Sequence, residues 1–208
     1  MTCRTIQAYA AHAKVYLRHW GRRRYRQPRL LRECVQQLVP PAGILDLGCG
    51  PGQDARHLFH LHRGRARYRV VAVDLSWLLL EYARRRSRRL PLVQADMRHL
   101  PFRRAAFDAV WAAASLIHLP KHTVRRALRS LLEVVGPGGI LGATLVHGRR
   151  SGYVSTGWIP GRFISRWRKA ELAQAVSRSG WQIVRLETVM NRERKGRWLN
   201  LLARRPCP

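Results

Sequence analysis

The residues best placed to do chemistry begin at Ile44-Leu45-Asp46-Leu47-Gly48-Cys49-Gly50-Pro51-Gly52, an apolar run that ends in alternating glycines. Glycines let a backbone pass close to a ligand, and the free amides of a helix that starts just beyond them attract an anionic group. The dinucleotide fingerprint G-x-G-x-x-G would place its third glycine at position 53, which is Gln53, so a nicotinamide or flavin site fits imperfectly. A second apolar run, Val70-Val71-Ala72-Val73, ends in Asp74, 22 positions after Gly52. From there a carboxylate can accept both hydroxyls of an adenosine ribose. A third run ends at Ala95-Asp96-Met97, a carboxylate beside an apolar side chain, suited to the edge and the face of an adenine. Plainer readings stand beside these: an ordinary strand-to-helix turn for the glycines, and helix N-caps for Asp74 and Asp96.

Such groups need elements to hold them, and the chain alternates short β-rich runs with stretches of helical period. Strands are expected at Gly43 to Leu47, Arg69 to Asp74, Leu92 to Ala95, Asp108 to Ala112, Ile140 to Val146, Gln182 to Val189 and Trp198 to Ala203. His57 and Leu58, Leu78 and Leu79, the series Val124, Leu128, Leu131 and Val135, and Leu172 with Val176 mark helices between them. Strands alternating with helices predict βαβ units, a mostly parallel sheet and right-handed crossovers. Only Met190 to Arg197 joins the two final strands, too short for a crossover, so these should pair antiparallel. The expected fold is therefore α/β and Rossmann-like: a seven-stranded sheet, helices on both faces and an antiparallel last strand. Residues 1–40 read as a helical preamble, and 147–168 as a connection long enough for a substrate lid.

Composition bounds the partners. The 208 residues are 46% apolar, enough for one domain with a substantial core, and a single domain over 1–208 is expected. Forty Lys and Arg against 11 Asp and Glu give a net charge of +29, which argues against basic partners. Only four of those cations are lysine, so the excess fits a general preference for arginine as well as a selected binding face. Cys3, Cys34, Cys49 and Cys207 are scattered, and neither a metal site nor a disulfide framework is expected. The apolar runs are too short for a membrane span, Met1 to Trp20 lacks the core of a secretory signal, and a cytoplasmic location is expected. All five aspartates, Asp46, Asp54, Asp74, Asp96 and Asp108, fall at or beside strand ends, which predicts five acids at one sheet edge.

In this order the motifs resemble those of the class I S-adenosylmethionine-dependent methyltransferases, of the small single-domain bacterial kind. Asp46 to Gly52 is similar to the family's first motif, Val73-Asp74-Leu75-Ser76 to its second and Ala95-Asp96-Met97 to its third. Phe107-Asp108-Ala109-Val110-Trp111 through Ser115-Leu116-Ile117-His118-Leu119 resembles the fourth, and Val135-Gly136-Pro137-Gly138-Gly139 the turn before strand five. Trp77, Gly136 and Trp181 depart from the pattern at packing positions. The resemblance implies S-adenosylmethionine as cofactor. Its methionine end would lie on Gly48, Gly50 and Gly52 with Asp46 near the ammonium, and its ribose on Asp74. Its adenine would meet Asp96 between Leu75 and Met97, with Ala113 beside the methionyl part. Tyr9 and Tyr16, seven residues apart on one helical face, resemble the aromatics that fold over the cofactor, although that spacing also suits simple core.

Methyl transfer needs alignment and exclusion of water, and a base only where the acceptor must lose a proton. His118 is the candidate base, with a structural or substrate-orienting histidine as the alternative. In the lid, aromatics including Tyr153, Trp158, Phe163 and Trp167 would shape the acceptor pocket, and Arg162 could hold an acidic group. The leading reading is methyl transfer to a small molecule, with an acidic acceptor as one candidate. A second is a nucleic-acid methyltransferase that tracks phosphates with Arg22, Arg23, Arg24, Arg26, Arg29 and Arg32 or with Arg84 to Arg89. It is weakened because the chain reads Trp111-Ala112-Ala113-Ala114 where an Asn/Asp-Pro-Pro-aromatic stretch would stand. A third is an inactive cofactor-binding or basic scaffold protein.

Overall fold

The computed structural model describes residues 3–21, 24–63, 66–191 and 196–207; Arg22 and Arg23 of the arginine-rich preamble lie outside them. Two helices come first, α1 (Cys3–Tyr16), continued by a single π-turn at Leu17–Gly21, and α2 (Arg29–Gln36). Then β1 (Gly43–Leu47), α3 (Gln53–His60), β2 (Arg69–Asp74), α4 (Trp77–Arg86), β3 (Leu92–Gln94) and β4 (Phe107–Ala113) alternate. They are followed by α5 (Lys121–Val134), β5 (Val135–His147), α6 (Lys169–Ser177), β6 (Gln182–Asn191) and β7 (Gly196–Arg204).

The sheet runs β6-β7-β5-β4-β1-β2-β3, and a two-residue strand, Arg166–Trp167, adds in parallel to β5. All long pairings are parallel except those of β7, which lies antiparallel to both β5 and β6. This is the mixed sheet expected, with β5 starting earlier than predicted. Val135 already pairs with Phe107, and a bulge between Phe107 and Ala109 absorbs the glycines that read as a turn.

Each face of the sheet carries a core. Central β1 is buried along its length, as a strand covered on both sides must be. On one face Leu30, Leu31 and Cys34 of α2 and Ala55 and Leu58 of α3 pack with Ile44, Val70 and Trp111. On the other, Leu128 and Leu131 of α5 and Leu172 and Val176 of α6 pack with Leu141, Leu199 and Leu201. Trp181, where the family pattern departs, fills this second core and donates its indole N–H to the Leu128 carbonyl at 2.9 Å. Among the described residues no helix is long and apolar enough to cross a membrane, and no group of three His, Cys, Asp or Glu could hold a metal ion.

The aspartates do not all share one edge. Asp108 stands at the start of β4, and its Oδ2 accepts the Gly43 N–H at 2.7 Å at the amino end of β1. It joins two strand beginnings, opposite the edge where β1 and β2 end in Leu47 and Asp74.

Candidate active site

Parallel strands of this topology place their following loops on one edge, and where the order reverses between β1 and β4 those loops diverge and leave a crevice. The cavity there has a volume of about 630 Å³. Its wall at one end is the loop after β1, in which Gly48, Gly50 and Gly52 all adopt left-handed φ of 70°, 55° and 74°. The need is sharpest at Gly48, where a methyl group would overlap Ser115 Cβ as well as forcing a side chain into that conformation. The loop is tied to the end of β2: Gly48 N–H and Cys49 N–H both donate to the Val73 carbonyl, at 2.7 and 2.9 Å. Gly50 N–H donates to Asp74 Oδ2 at 2.9 Å, and Asp74 Oδ1 accepts the Ser76 N–H at 2.8 Å. Burial pushes the Asp74 carboxyl above its ordinary value, opposed by the amides of Ser76, Gly50 and Leu75.

Gly48, Gly50, Asp74, Leu75, Met97 and Ala113 all line the cavity, as do Tyr9, Tyr16 and His118. The other expected cofactor contacts, Gly52, Asp46 and Asp96, do not line it. Gly52 is the residue from which α3 starts. Asp46 is buried beneath the loop with Oδ2 lacking a partner, and burial together with the charge of Asp54 pushes its carboxyl well above the ordinary range. Asp54 itself accepts the Trp111 indole N–H at 2.7 Å. Asp96 is clasped by Arg98, whose Nη2 lies 2.6 Å from Oδ2 and Nε 3.0 Å from Oδ1. Burial would raise that carboxyl, but the Arg98 guanidinium and amide outweigh it and hold it at about 2.

His118, in the single 3₁₀ turn Leu116–His118 after β4, is buried and held from both sides. Its Nδ1 lies 2.8 Å from the Phe163 carbonyl, which can only accept, so Nδ1 carries a proton and in the neutral ring Nε2 carries the lone pair. The Tyr9 hydroxyl, 2.9 Å away, is the hydrogen-bond partner of that Nε2 and donates to it when the ring is neutral. Tyr9 stacks edge-on against both His118 and Tyr16, with ring centroids 5.3 and 5.4 Å apart. Just before this turn Ala114 takes φ of 54°, unusual for a residue with a side chain; Thr144 fixes it by accepting its N–H on Oγ1 at 2.9 Å.

The expected lid divides in two. Trp158 and Arg162 line the cavity, whereas Trp167 is core and Phe163 turns its ring edge-on to Tyr153. Phe163 acts through its backbone instead: its carbonyl holds His118, and its N–H donates at 3.0 Å to Oγ1 of Thr5 on α1. Over the mouth, His19 of the π-turn stacks on Trp158 at 3.8 Å and Trp20 meets it edge-on at 5.5 Å. Trp20, His147, Arg166, Arg197 and Trp198 also line the cavity, and none carries a local motif that would have marked it in the sequence.

Residues 44–139 match the family model described as a methyltransferase domain. The chain is 33% identical over 155 residues to a malonyl-[acyl-carrier protein] O-methyltransferase of Legionella pneumophila, covering 73% of this chain and 53% of that one. It spans about half the length of the curated relatives it matches. A SAM-dependent methyltransferase of Methanosarcina mazei superposes with TM-score 0.75 at 15% identity, over 88% of this chain and all of that one. The 1,6-didemethyltoxoflavin N1-methyltransferase of Burkholderia thailandensis, with S-adenosylhomocysteine bound, gives TM-score 0.70 at 20% identity over 99% and 92% of the two chains.

Proposed function

The chain carries the methyltransferase domain of the S-adenosylmethionine-dependent class I family, and from that premise we propose that it transfers a methyl group from this cofactor to a small-molecule acceptor, with His118 Nε2 as proton acceptor. The observation that carries the reading is the pairing, in one cavity, of a cradle suited to the cofactor with a histidine of fixed tautomer.

The donor set fits the group. Asp74 offers two carboxylate oxygens at the cavity wall, each with lone-pair capacity beyond the amide it already accepts. Gly48 and Gly50 present backbone with no side chain in the way, and Leu75 and Met97 supply apolar surface for a ring. Tyr9 and Tyr16 would cover it from α1. When bound, the cofactor supplies a methyl group activated on a sulfonium. The chain's own work is then alignment, exclusion of water by α1 and Trp158, and handling of a proton. With Nδ1–H committed to the Phe163 carbonyl, His118 can take a proton only at Nε2, and Tyr9 holds that position until an acceptor replaces its hydroxyl or passes a proton through it. Asp96 and Asp46, which do not line the cavity, would brace the Ala95–Met97 segment and the glycine loop.

Calorimetric titration with S-adenosylhomocysteine tests the premise: the wild type should bind, and Asp74→Ala should weaken binding by about 100-fold, the loss of charge-assisted bonds worth about 2.7 kcal/mol. Absence of binding by the folded wild type would overturn the reading.

A further inference from the structure

We propose that the acceptor end of this cavity is a carboxylate subsite, built on Arg166 with Arg162, and that the acceptor is therefore a small organic acid. The inference rests on the function proposed above and names its substrate class.

The cavity is electrically lopsided. Among its described lining residues Asp74 is the one acid, and it stands at the glycine-loop end. The far end is lined by Arg162, Arg166 and Arg197, and among the described residues no carboxylate lies within ion-pair reach of any of them. Arg166 is not a stray surface cation. It belongs to the short strand beside β5, where it pairs with Val146, and Trp198 of β7 pairs with the same Val146 from the other side. Residues opposite one another on adjacent strands project to the same face, so Arg166, Val146 and Trp198 form one rung, and all three line the cavity.

The guanidinium is also pre-set. The Arg166 N–H donates to Ser151 Oγ at 2.9 Å and its Nη1 to the Arg150 carbonyl at 3.3 Å, while its side chain packs over Gly148, where an added methyl would come within 2.9 Å of Cδ. One of five guanidinium N–H donors is thus occupied and the planar fork remains available, the geometry that carboxylates match with two parallel bonds. Arg162 is likewise spent on one backbone acceptor, the Ile159 carbonyl at 3.4 Å. Half-buried cations that face an apolar wall lose hydration without an ion pair to offset it, and an anionic ligand restores that loss. Val146, Ile164, Trp158 and Trp198 would receive the acid's hydrocarbon body.

The test uses the full chain saturated with S-adenosylhomocysteine and a panel of matched acid and amide pairs, from propionate and propionamide to indole-3-acetate and indole-3-acetamide, read by calorimetry. Expected is at least one acid bound about tenfold or more tighter than its amide. That preference should fall below about threefold in Arg166→Met, be reduced in Arg162→Met, and weaken in Gly148→Ala, which displaces the fork and leaves its charge. The exposed pair Arg84→Met/Arg85→Met should leave it unchanged. S-adenosylhomocysteine binding and the melting curve of each variant check the cradle and the fold, so failure of the cofactor reading is distinguishable. The subsite is overturned if no acid outbinds its amide, if the preference survives in Arg162→Met/Arg166→Met, or if the Arg84/Arg85 variant abolishes it equally.

Discussion

The two ends of the cavity are assembled in different ways. At the glycine-loop end the ties are short in sequence: the Gly50 N–H reaches Asp74, 24 residues on, and the loop leans on Val73, the residue before it. At the acceptor end His118 meets Phe163 across 45 residues, Tyr9 meets His118 across 109, and Thr5 meets Phe163 across 158. The first end follows from the geometry of a strand turning into a helix, and it exists once β1 and β2 have paired. The second requires α1, the 3₁₀ turn and the connection after β5 to close on one another. Bonds of the second kind tie segments that would otherwise move independently, so this end should open first.

The largest test of that division is His118→Ala. It should lower kcat by about 10²- to 10³-fold, the usual worth of a positioned base, while the S-adenosylhomocysteine dissociation constant stays within about threefold. Comparable losses in both quantities would mean that the two ends are not separable.

A smaller effect is expected from Thr5→Val, which keeps the shape of a fully buried side chain but removes the hydroxyl that accepts the Phe163 N–H. Leaving that amide unpaired costs about 1–3 kcal/mol. Hydrogen exchange should accelerate at least about tenfold at Phe163 and Ile164 and hardly change at Gly48 and Gly50; equal acceleration at the glycine loop would break the comparison.

The smallest change is predicted at Arg98→Met, on the cofactor side. Asp96 is held at about 2 against an ordinary 3.8, so its pairing contributes stability above about pH 4 and loses it as the pH falls through about 2. Because the Arg98 side chain is 38% exposed, solvent screens the pair and its worth is about 1 kcal/mol. Denaturant midpoints for wild type and variant should differ at pH 7 and converge toward pH 2; a constant difference would assign the effect to packing.

Legibility in the sequence follows the same line. The sheet, its order of motifs and the antiparallel final pair could be read because apolar periodicity and short connections are local. The cradle of Gly48, Gly50 and Asp74 could be read for the same reason. What the sequence did not show is how the strand-end acids are held: Asp96 pairs with an arginine two residues away, Asp46 is buried under the loop, and Asp108, at a strand start, stands at the opposite edge rather than with the others. At the acceptor end the sequence singles out His118, Trp158 and Arg162, which line the cavity, but not Arg166. Arg166 is one of 36 arginines, and only its registry with Val146 and Trp198 distinguishes it. Ala114 gives no turn signal, since its left-handed backbone is fixed by Thr144, 30 residues away.

The placement of β7 has a consequence for the order in which this protein comes into being. The strand is threaded between β5 and β6, yet it is the last strand of the described chain to leave the ribosome. Until it arrives, the long edge of β5 is an open template, and the apolar surface that Leu199, Leu201 and Ala203 will cover is bare. The nascent chain can therefore assemble the glycine-loop end while the rung that ends in Trp198 is missing. A chain at that stage exposes a strand edge open to edge-to-edge pairing and lacks one wall of the cavity.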